Sequence, residues 1–511
     1  MAKKLPFQYF KLPKNIDKSL VDLKTKPPSY WENKGKDNAL KLFDFVVRKV
    51  PAYERFLKRH KINRNKIKSI EDFRTLPISS KENYLRRSNF IDLLPNRDIS
   101  DTKTFSATSG STGEPFYFPR GDEQDWQYEY IAEMFLKNQF EIDKKTTLGI
   151  IGFGIGIWIG GIFTYKNFNK IASKGYQLAL APVGNTAEIY LDIVKKFGNL
   201  FDQVILMGYA PFVKDIIDEA KDYGINWRDY NLRILTAAEG YSEKFKKYVA
   251  KKASLKDPLM DFVNIYGTVE LGTMAHETPL SNLIRLIAVE NKTVFRAIFP
   301  KANRLPTLVQ YYPQIIYFEE EEDEVIATGY GSSIPLVRYR FPDIGGVITY
   351  DDMISKLKDS GVDILIEAKK NKIDKNILHL PFVYVYDRSD HALILRGANI
   401  YPEEIKNALQ DKLLDSYVTG KFSMEKKEDR KMDEYLEINV ELKKRVKKSK
   451  KLEKLIEVMI TDFLKKENSE FSYLYSLDSD KLIPGVVLWP YGHEKHFSPK
   501  GKQKWVIKNE K

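Results

Sequence analysis

No cysteine occurs anywhere in the sequence, which removes disulfides, cysteine nucleophiles and every thiolate metal site, zinc included, from the chemistry open to it. Histidine is scarce, with six in the chain, and no triad of the serine–histidine kind is evident among them. Long apolar runs are missing as well. Residues 148–163 carry no charge, but they number sixteen, six of them glycine, and a membrane helix needs roughly twenty apolar residues. Glycine at that density weakens a helix and suits a buried strand running into a glycine-lined turn beneath a pocket. The first residues hold two lysines with no apolar segment behind them, unlike a secretory signal. A cytoplasmic protein without a membrane span is the expectation.

What is present points to a sizeable enzyme. A chain of 511 residues is long enough for two or three domains, and 43% hydrophobic with 13% aromatic residues are globular values. Basic residues outnumber acidic ones, 83 to 70, for a net charge of +13 spread along the chain. Such a diffuse surplus attracts ATP, coenzyme A, nucleic acid or an anionic membrane alike. No RNA-recognition or helix-turn-helix signature accompanies it, so no nucleic-acid partner is expected.

The most informative stretch is 105–116, Phe-Ser-Ala-Thr-Ser-Gly-Ser-Thr-Gly-Glu-Pro-Phe. Gly110 and Gly113 let the backbone approach an anion, and the hydroxyls of Ser109, Ser111 and Thr112 add donors for a polyphosphate. It is not a Walker A loop, because Glu114 stands where Lys-Ser or Lys-Thr is required. Read bare, the same composition also serves as a Ser/Gly surface linker.

Upstream, 27–100 reads as helices with turns, one opening at Pro51 and another with a serine cap near Ser79. Downstream, strands at 177–181, 203–207 and 232–237 alternate with helices at 187–197 and 212–223, the pattern of a parallel α/β sheet covered on both faces. Ligands in such sheets gather at the carboxyl ends of the strands, where Tyr209 and Glu239 fall. In 264–270, Tyr266 and Gly267 end a strand and Glu270 follows, a carboxylate placed to hold Mg²⁺ beside a ring placed to flank an adenine or aryl group; the bare pattern also fits an ordinary turn. The acids of 319–324 read as an exposed hairpin tip. Asp343, after Pro342 at a strand end, is suited to accept both hydroxyls of a ribose or to cap a turn. At 388–405 a polar link leads into a smaller domain whose first helix starts at Pro402. That domain contains a strand at 435–442 and a helix with Leu452, Leu455, Ile456, Met459 and Phe463 on one face; the lysines and arginine of 443–451 between them read as a solvated loop. Phe153, Trp158 and Phe163, with Tyr209 and Tyr266, suit either a pocket for a flat apolar acid or plain core.

In order, these stretches resemble the adenylate-forming ligases, in the phenylacetate–CoA ligase branch. Residues 106–115 are similar to that branch's S-S-G-S-T-G-x-P loop, 50–57 and 76–81 to its entry region, and 266–270 to its Y-G-x-T/S-E motif. Residues 335–343 resemble P-L-x-R-Y-R-x-x-D, 388–405 the hinge motif, and Gly501-Lys502 the closing G-K. One departure stands out: the hydroxyl expected at 269 is absent, since Val269 is there and Thr268 lies one place early.

The resemblance implies an α/β protein. A large N-terminal adenylate-forming domain with parallel and mixed sheets, 1–387, would precede a small mobile C-terminal α+β lid domain, 388–511, hinged near Asp390. It implies ATP contacts at Ser109, Gly110, Ser111, Thr112, Gly113, Glu239, Tyr266, Gly267, Thr268, Asp343 and Arg388, with Glu270 on Mg²⁺. Lys502, or Lys504 in a register shifted by two, would reach the reacting carboxylate and α-phosphate. The implied reaction joins a small carboxylic acid to AMP with loss of pyrophosphate and passes the acyl group to a thiol such as coenzyme A. Transfer to a protein or amine, or a non-catalytic anion-binding role, are the alternatives. Monomer and homodimer both remain open.

Overall fold

The computed structural model describes residues 15–108, 115–302, 304–388, 392–497 and 506. The chain divides into two compact units: Met1–Ser106, Tyr117–Gly208 and Val213–Asp387 in the first, and Ala107–Phe116, Tyr209–Phe212 and Arg388–Lys511 in the second.

The first unit opens with helices. Pro28 and Pro51 occupy the first turns of Pro28–Lys49 and Pro51–Arg59, where the missing N–H costs nothing. The serine cap expected near Ser79 is Ser80, whose hydroxyl accepts the Asn83 N–H at 3.1 Å. Ser79 is buried and pairs with Tyr339, donating its N–H to the Arg338 carbonyl at 2.9 Å and its hydroxyl to the Val337 carbonyl at 2.8 Å. A short ribbon follows, of Thr104–Ala107 (β1) and Tyr117–Arg120 (β2).

Eleven strands then form one mixed sheet: Thr147–Ile151 (β3), Leu178–Pro182 (β4), Gln203–Gly208 (β5), Leu232–Ala237 (β6), Phe262–Thr268 (β7), Gly272–His276 (β8), Thr307–Tyr311 (β9), Tyr317–Glu321 (β10), Glu324–Gly329 (β11), Leu336–Ile348 (β12) and Phe382–Arg388 (β13). Their spatial order is β10-β11-β12-β13-β9-β8-β7-β6-β5-β3-β4. From β4 to β7 every pairing is parallel, as the alternation of strands and helices predicts. From β7 onward the pairings described are antiparallel. β3 lies between β4 and β5, so the chain leaves it first to one side and then to the other. The carboxyl ends of β3 and β5 therefore form a topological switch point.

Residues 148–163 run, as expected, from a buried strand into a glycine-lined turn. β3 stops at Ile151, a loop runs through 152–160, and the helix Gly161–Ala172 follows. Hydrogen bonding closes the loop on itself, Gly161 N–H to the Gly154 carbonyl at 3.1 Å, and Ile155 and Ile157 are left exposed. On the other side of that helix, Lys166 and Lys170 meet Asp125, and Lys174 meets Glu129 and Glu133, joining it to Asp122–Asn138. The four-residue spacing of both charge sets places each on one helix face.

The acidic run 319–324 is a hairpin, with Glu322 and Asp323 at φ of 52° and 70° in its tip. It is not wholly solvated, however. Glu319 is buried against Arg338 at 3.3 Å, and Glu321 meets the same guanidinium at 3.0 Å. Arg338 turns inward where the β11–β12 register shifts, adopting φ 44°, and also donates to the Arg74 carbonyl and, at 2.5 Å, to that of Leu76. One bulge thus re-aims an arginine that ties the helical entry segment to the sheet. Asp343, expected at a strand end, lies inside the thirteen-residue β12.

The second unit has its own core, built on β16 (Val418–Glu428), β17 (Glu434–Leu442) and β18 (Gly485–Trp489), preceded by a ribbon of Leu393–Leu395 (β14) and Ala398–Ile400 (β15). Pro402 opens the helix Pro402–Leu409. In Lys450–Glu467 the buried stripe is Leu452, Ile456, Ile460 and Leu464, a four-residue repeat, and Leu455 is exposed at 37%. The apolar face is thus rotated from the one expected, because contact with Pro402–Leu409 and β18 decides which apolar positions are covered.

Tyr190 supplies a test of the sheet. Its hydroxyl donates to the Ile150 carbonyl at 3.0 Å and accepts the Met207 N–H at 2.9 Å, pinning β3 to β5. Tyr190→Phe removes the partner of both groups, so urea unfolding of the first unit is expected at a lower midpoint, reporting a stability loss of about 1–3 kcal/mol. In the second unit, burial pushes the Glu404 carboxyl up to about 7, while the Tyr401 N–H and Asn468 amide bonded to it pull the other way. A carboxyl that holds its proton longer in the folded state loses stability as pH rises. The second unit is expected to weaken from about pH 4.5 to about pH 7 and level off above, with Glu404→Gln, compared by denaturant midpoints, flattening that slope.

Candidate active site

The clearest convergence lies between β7 and β12. These strands are four places apart in the sheet, about 19 Å if the sheet were flat at about 4.8 Å per strand. Yet the Tyr266 hydroxyl donates to Asp343 Oδ2 at 2.7 Å, which the two side chains could not do across a flat sheet. The sheet therefore coils, bringing its antiparallel flank round to face β7. The Tyr266 ring lies nearly parallel to Phe318, centroids 6.4 Å apart, and Tyr311 meets Phe318 edge-on at 4.8 Å. Asp343 is 7% exposed and Tyr266 half-buried, so a carboxylate acceptor and an aromatic face sit side by side.

Next to them is the turn that follows β6. Ala238 takes φ 77°, Glu239 is buried, and the Asn264 amide donates to the Glu239 carbonyl at 3.1 Å. Thr236 donates to Asn264 Oδ1 at 3.0 Å, and its hydroxyl lies 3.1 Å from that of Tyr241. Behind these, Lys246, Arg285 and Glu277 form a buried ion network, with Arg285 also donating to the Tyr241 carbonyl at 2.7 Å. The turn is thus fixed from its strand, its exit and its neighbour.

Gly267 and Thr268 lie within β7, not beyond its end. The strand turns through Val269, Glu270 and Leu271 into β8, with Gly272 at φ 70° closing a three-residue hairpin. The Thr268 hydroxyl accepts the Leu271 N–H at 3.3 Å, and the Val269 carbonyl accepts from Arg120. Glu270 is half-exposed on that turn. Facing it is Lys81, whose ammonium is lowered by burial while the Glu270 carboxylate opposes the shift. Lys81 begins the turn capped by Ser80, two residues past the Ser79–Tyr339 bridge. Neither Lys81 nor Arg120 stands out in the sequence as part of this cluster; lysine and arginine are abundant, and only the fold brings these two to Glu270.

Of the other residues singled out, Phe153 is buried in the 152–160 loop and Trp158 is half-buried. Tyr209, half-buried, groups with the second unit. Arg388 is the last residue of β13, and its charge acts on the buried Glu470 carboxyl. The loop residues Ser109, Gly110, Ser111, Thr112 and Gly113, the hinge residue Asp390, and both Lys502 and Lys504 lie outside the described residues. The flanks of the loop are paired, Thr108 N–H to the Phe116 carbonyl and Phe116 N–H to the Thr108 hydroxyl, both at 3.0 Å. Among the described residues, no group of three or more acidic or histidine side chains forms a metal cluster, and no helix is long and apolar enough to cross a membrane.

No protein-family model matches the sequence. It is similar to a phenylacetate–coenzyme A ligase of Pseudomonas putida, 19% identical over 375 residues, 70% of each chain. In fold it is similar to a 2-hydroxyisobutyryl-CoA ligase solved with 2-HIB-AMP and CoA in its thioesterification state, with a TM-score of 0.61 and 15% identity over 98% of this chain and 94% of that one. A structure of the same ligase in its postadenylation state gives a TM-score of 0.54 and 16% identity over 98% and 95%. The chain thus has the fold of these adenylate-forming CoA ligases.

Proposed function

We propose that this protein activates a carboxylic acid with ATP, releasing pyrophosphate, and passes the acyl group from the adenylate to the thiol of coenzyme A. The observation that carries the reading is the meeting of Tyr266 and Asp343 at 2.7 Å, one hairpin turn from Glu270. Asp343 offers oxygens to the ribose hydroxyls, Tyr266 an edge or face to the adenine or acyl group, and the Glu239 turn and Thr268 line the approach. Glu270 fits a magnesium ion that keeps most of its ligands from substrate and water, because a single half-exposed carboxylate suits that demand. Magnesium bound there would neutralise polyphosphate charge. Loop 109–113 would hold the phosphates, and Arg388 the ribose or α-phosphate.

In the first step a carboxylate oxygen of the acid attacks the α-phosphorus and the bond to the pyrophosphate oxygen breaks. Protein groups position and neutralise without forming a covalent bond. Lys502 would place its ammonium between the two anions, with Lys504 the alternative. In the second step the thiol attacks the acyl carbon and AMP leaves. Residues 388–511, turning near Asp390, would present different groups to the two steps. The acid would lie at the switch point of β3 and β5, beside the loop that carries Phe153, Trp158 and the exposed Ile155 and Ile157. That lining favours a flat or branched apolar acid over a charged one.

Carboxylate-dependent exchange of labelled pyrophosphate into ATP, run over aryl, branched and straight-chain acids, tests the first step. One class of acid should support exchange, and Lys502→Ala should lower it by about a hundredfold or more. No exchange and no ATP binding in folded protein would sink the proposal. Asp343→Asn, which keeps the shape but weakens the acceptor, should raise the KM for ATP by about tenfold and leave the KM for the acid within about twofold.

A further inference from the structure

Arg120 closes β2 and is 1% exposed. Among the described residues its guanidinium meets no carboxylate at ion-pair distance. It donates to the Gly331 carbonyl at 2.5 Å, to the Val269 carbonyl, and to the Ser106 hydroxyl at 3.4 Å, and the Phe163 ring centre lies 5.3 Å from its central carbon. Burial lowers it to about 10, opposed by the charges of Asp125 and Glu270. Asp125 is itself engaged by Lys166 and Lys170.

A cation removed from water without a contacting counter-ion is costly, and such groups persist for what they hold or what they face. Arg120 holds the peptide between Val269 and Glu270, since the carbonyl it grips belongs to the bond that leads into Glu270. It also holds Gly331, where a side chain would stand 1.8 Å from the Leu271 carbonyl, so both sides of the hairpin turn are fixed by one guanidinium and one glycine. Separate nitrogens of one planar guanidinium serve the two carbonyls, a geometry that the single nitrogen of a lysine does not reproduce. Of the two carboxylates whose charges act on it, Asp125 and Glu270, the second stands on the turn whose backbone it grips.

We propose that Arg120 is the positioning residue of the nucleotide's phosphate end: it fixes the Val269–Glu270 peptide, and with it the carboxylate proposed for magnesium, and lends a buried positive charge to a site meant for a polyphosphate. The inference rests on the adenylation reading above. It assigns to a backbone carbonyl held by arginine the ordering of a turn in which Val269 offers no hydroxyl.

The test uses the full chain with Arg120→Gln and Arg120→Lys. Magnesium–ATP is titrated calorimetrically without any acid, and pyrophosphate exchange is followed against ATP, magnesium and acid in turn. Arg120→Gln should bind magnesium–ATP about tenfold more weakly and need more magnesium for half-maximal exchange, with the KM for the acid within about twofold. Arg120→Lys should recover much of the binding through its charge yet keep a kcat lowered by about tenfold, because it cannot hold both carbonyls. Folded Arg120→Gln with parent-like binding and magnesium dependence would overturn the assignment, as would equal shifts in the KM values for ATP and acid, the mark of general distortion. Should Arg120→Gln fail to fold, Arg120→Lys decides, and parent-like kcat and magnesium requirement in it overturn the role. A parent that binds no ATP overturns the adenylation reading itself, whereas a parent that binds it with unaffected variants removes only Arg120.

Discussion

The curvature of the eleven-stranded sheet is the constraint on which the site depends. Parallel strands carry the β6 turn and β7 to one edge of a potential pocket, but alone they supply only half a site. The antiparallel flank has to come round before Asp343 can reach Tyr266, and the hydrogen bond between them marks where the two halves meet. Strand twist supplies the sense of that curvature. Close packing keeps it: Gly345 has room for no side chain, since a Cβ there would lie 1.9 Å from the Tyr384 carbonyl of the next strand.

Several buried cations join segments distant in sequence. Arg338 links 74–76 to the β10–β11 hairpin through Glu319, and Arg285 with Lys246 braces the turn after β6 through Glu277. Each of these cations has a carboxylate beside it, as a buried charge demands. Arg120 departs from that rule, since among the described residues its contacts are neutral oxygens and a ring. The departure sits against the carboxylate turn and not in the structural core, which is why it bears on function.

Much of this was legible in the sequence. Local rules were enough wherever the signal was local: proline at 51 and 402 opened helices, and Ala187–Phe197 and Leu232–Ala237 occupy the predicted positions. They failed where a partner distant in sequence decided the outcome. Glu319, in a run of acids, was claimed by Arg338. Leu455 lost its place in the core to Ile460 because the facing elements covered a stripe turned slightly from the predicted one.

The sequence by itself determined the parts: a Gly/Ser/Thr-rich loop, Tyr266 and Glu270 about a strand end, an acid at 343, and the exclusion of cysteine chemistry. Those properties depend on residue type and short spacing, which a chain cannot hide. Only the tertiary structure decided that Tyr266 and Asp343 touch, that Lys81 and Arg120 stand at Glu270, and that the Val269 backbone is held by a guanidinium. Each of those facts joins residues 77 to 189 positions apart, and the coil of a sheet and the aim of a buried side chain are set by the whole packed unit, not by any window of sequence.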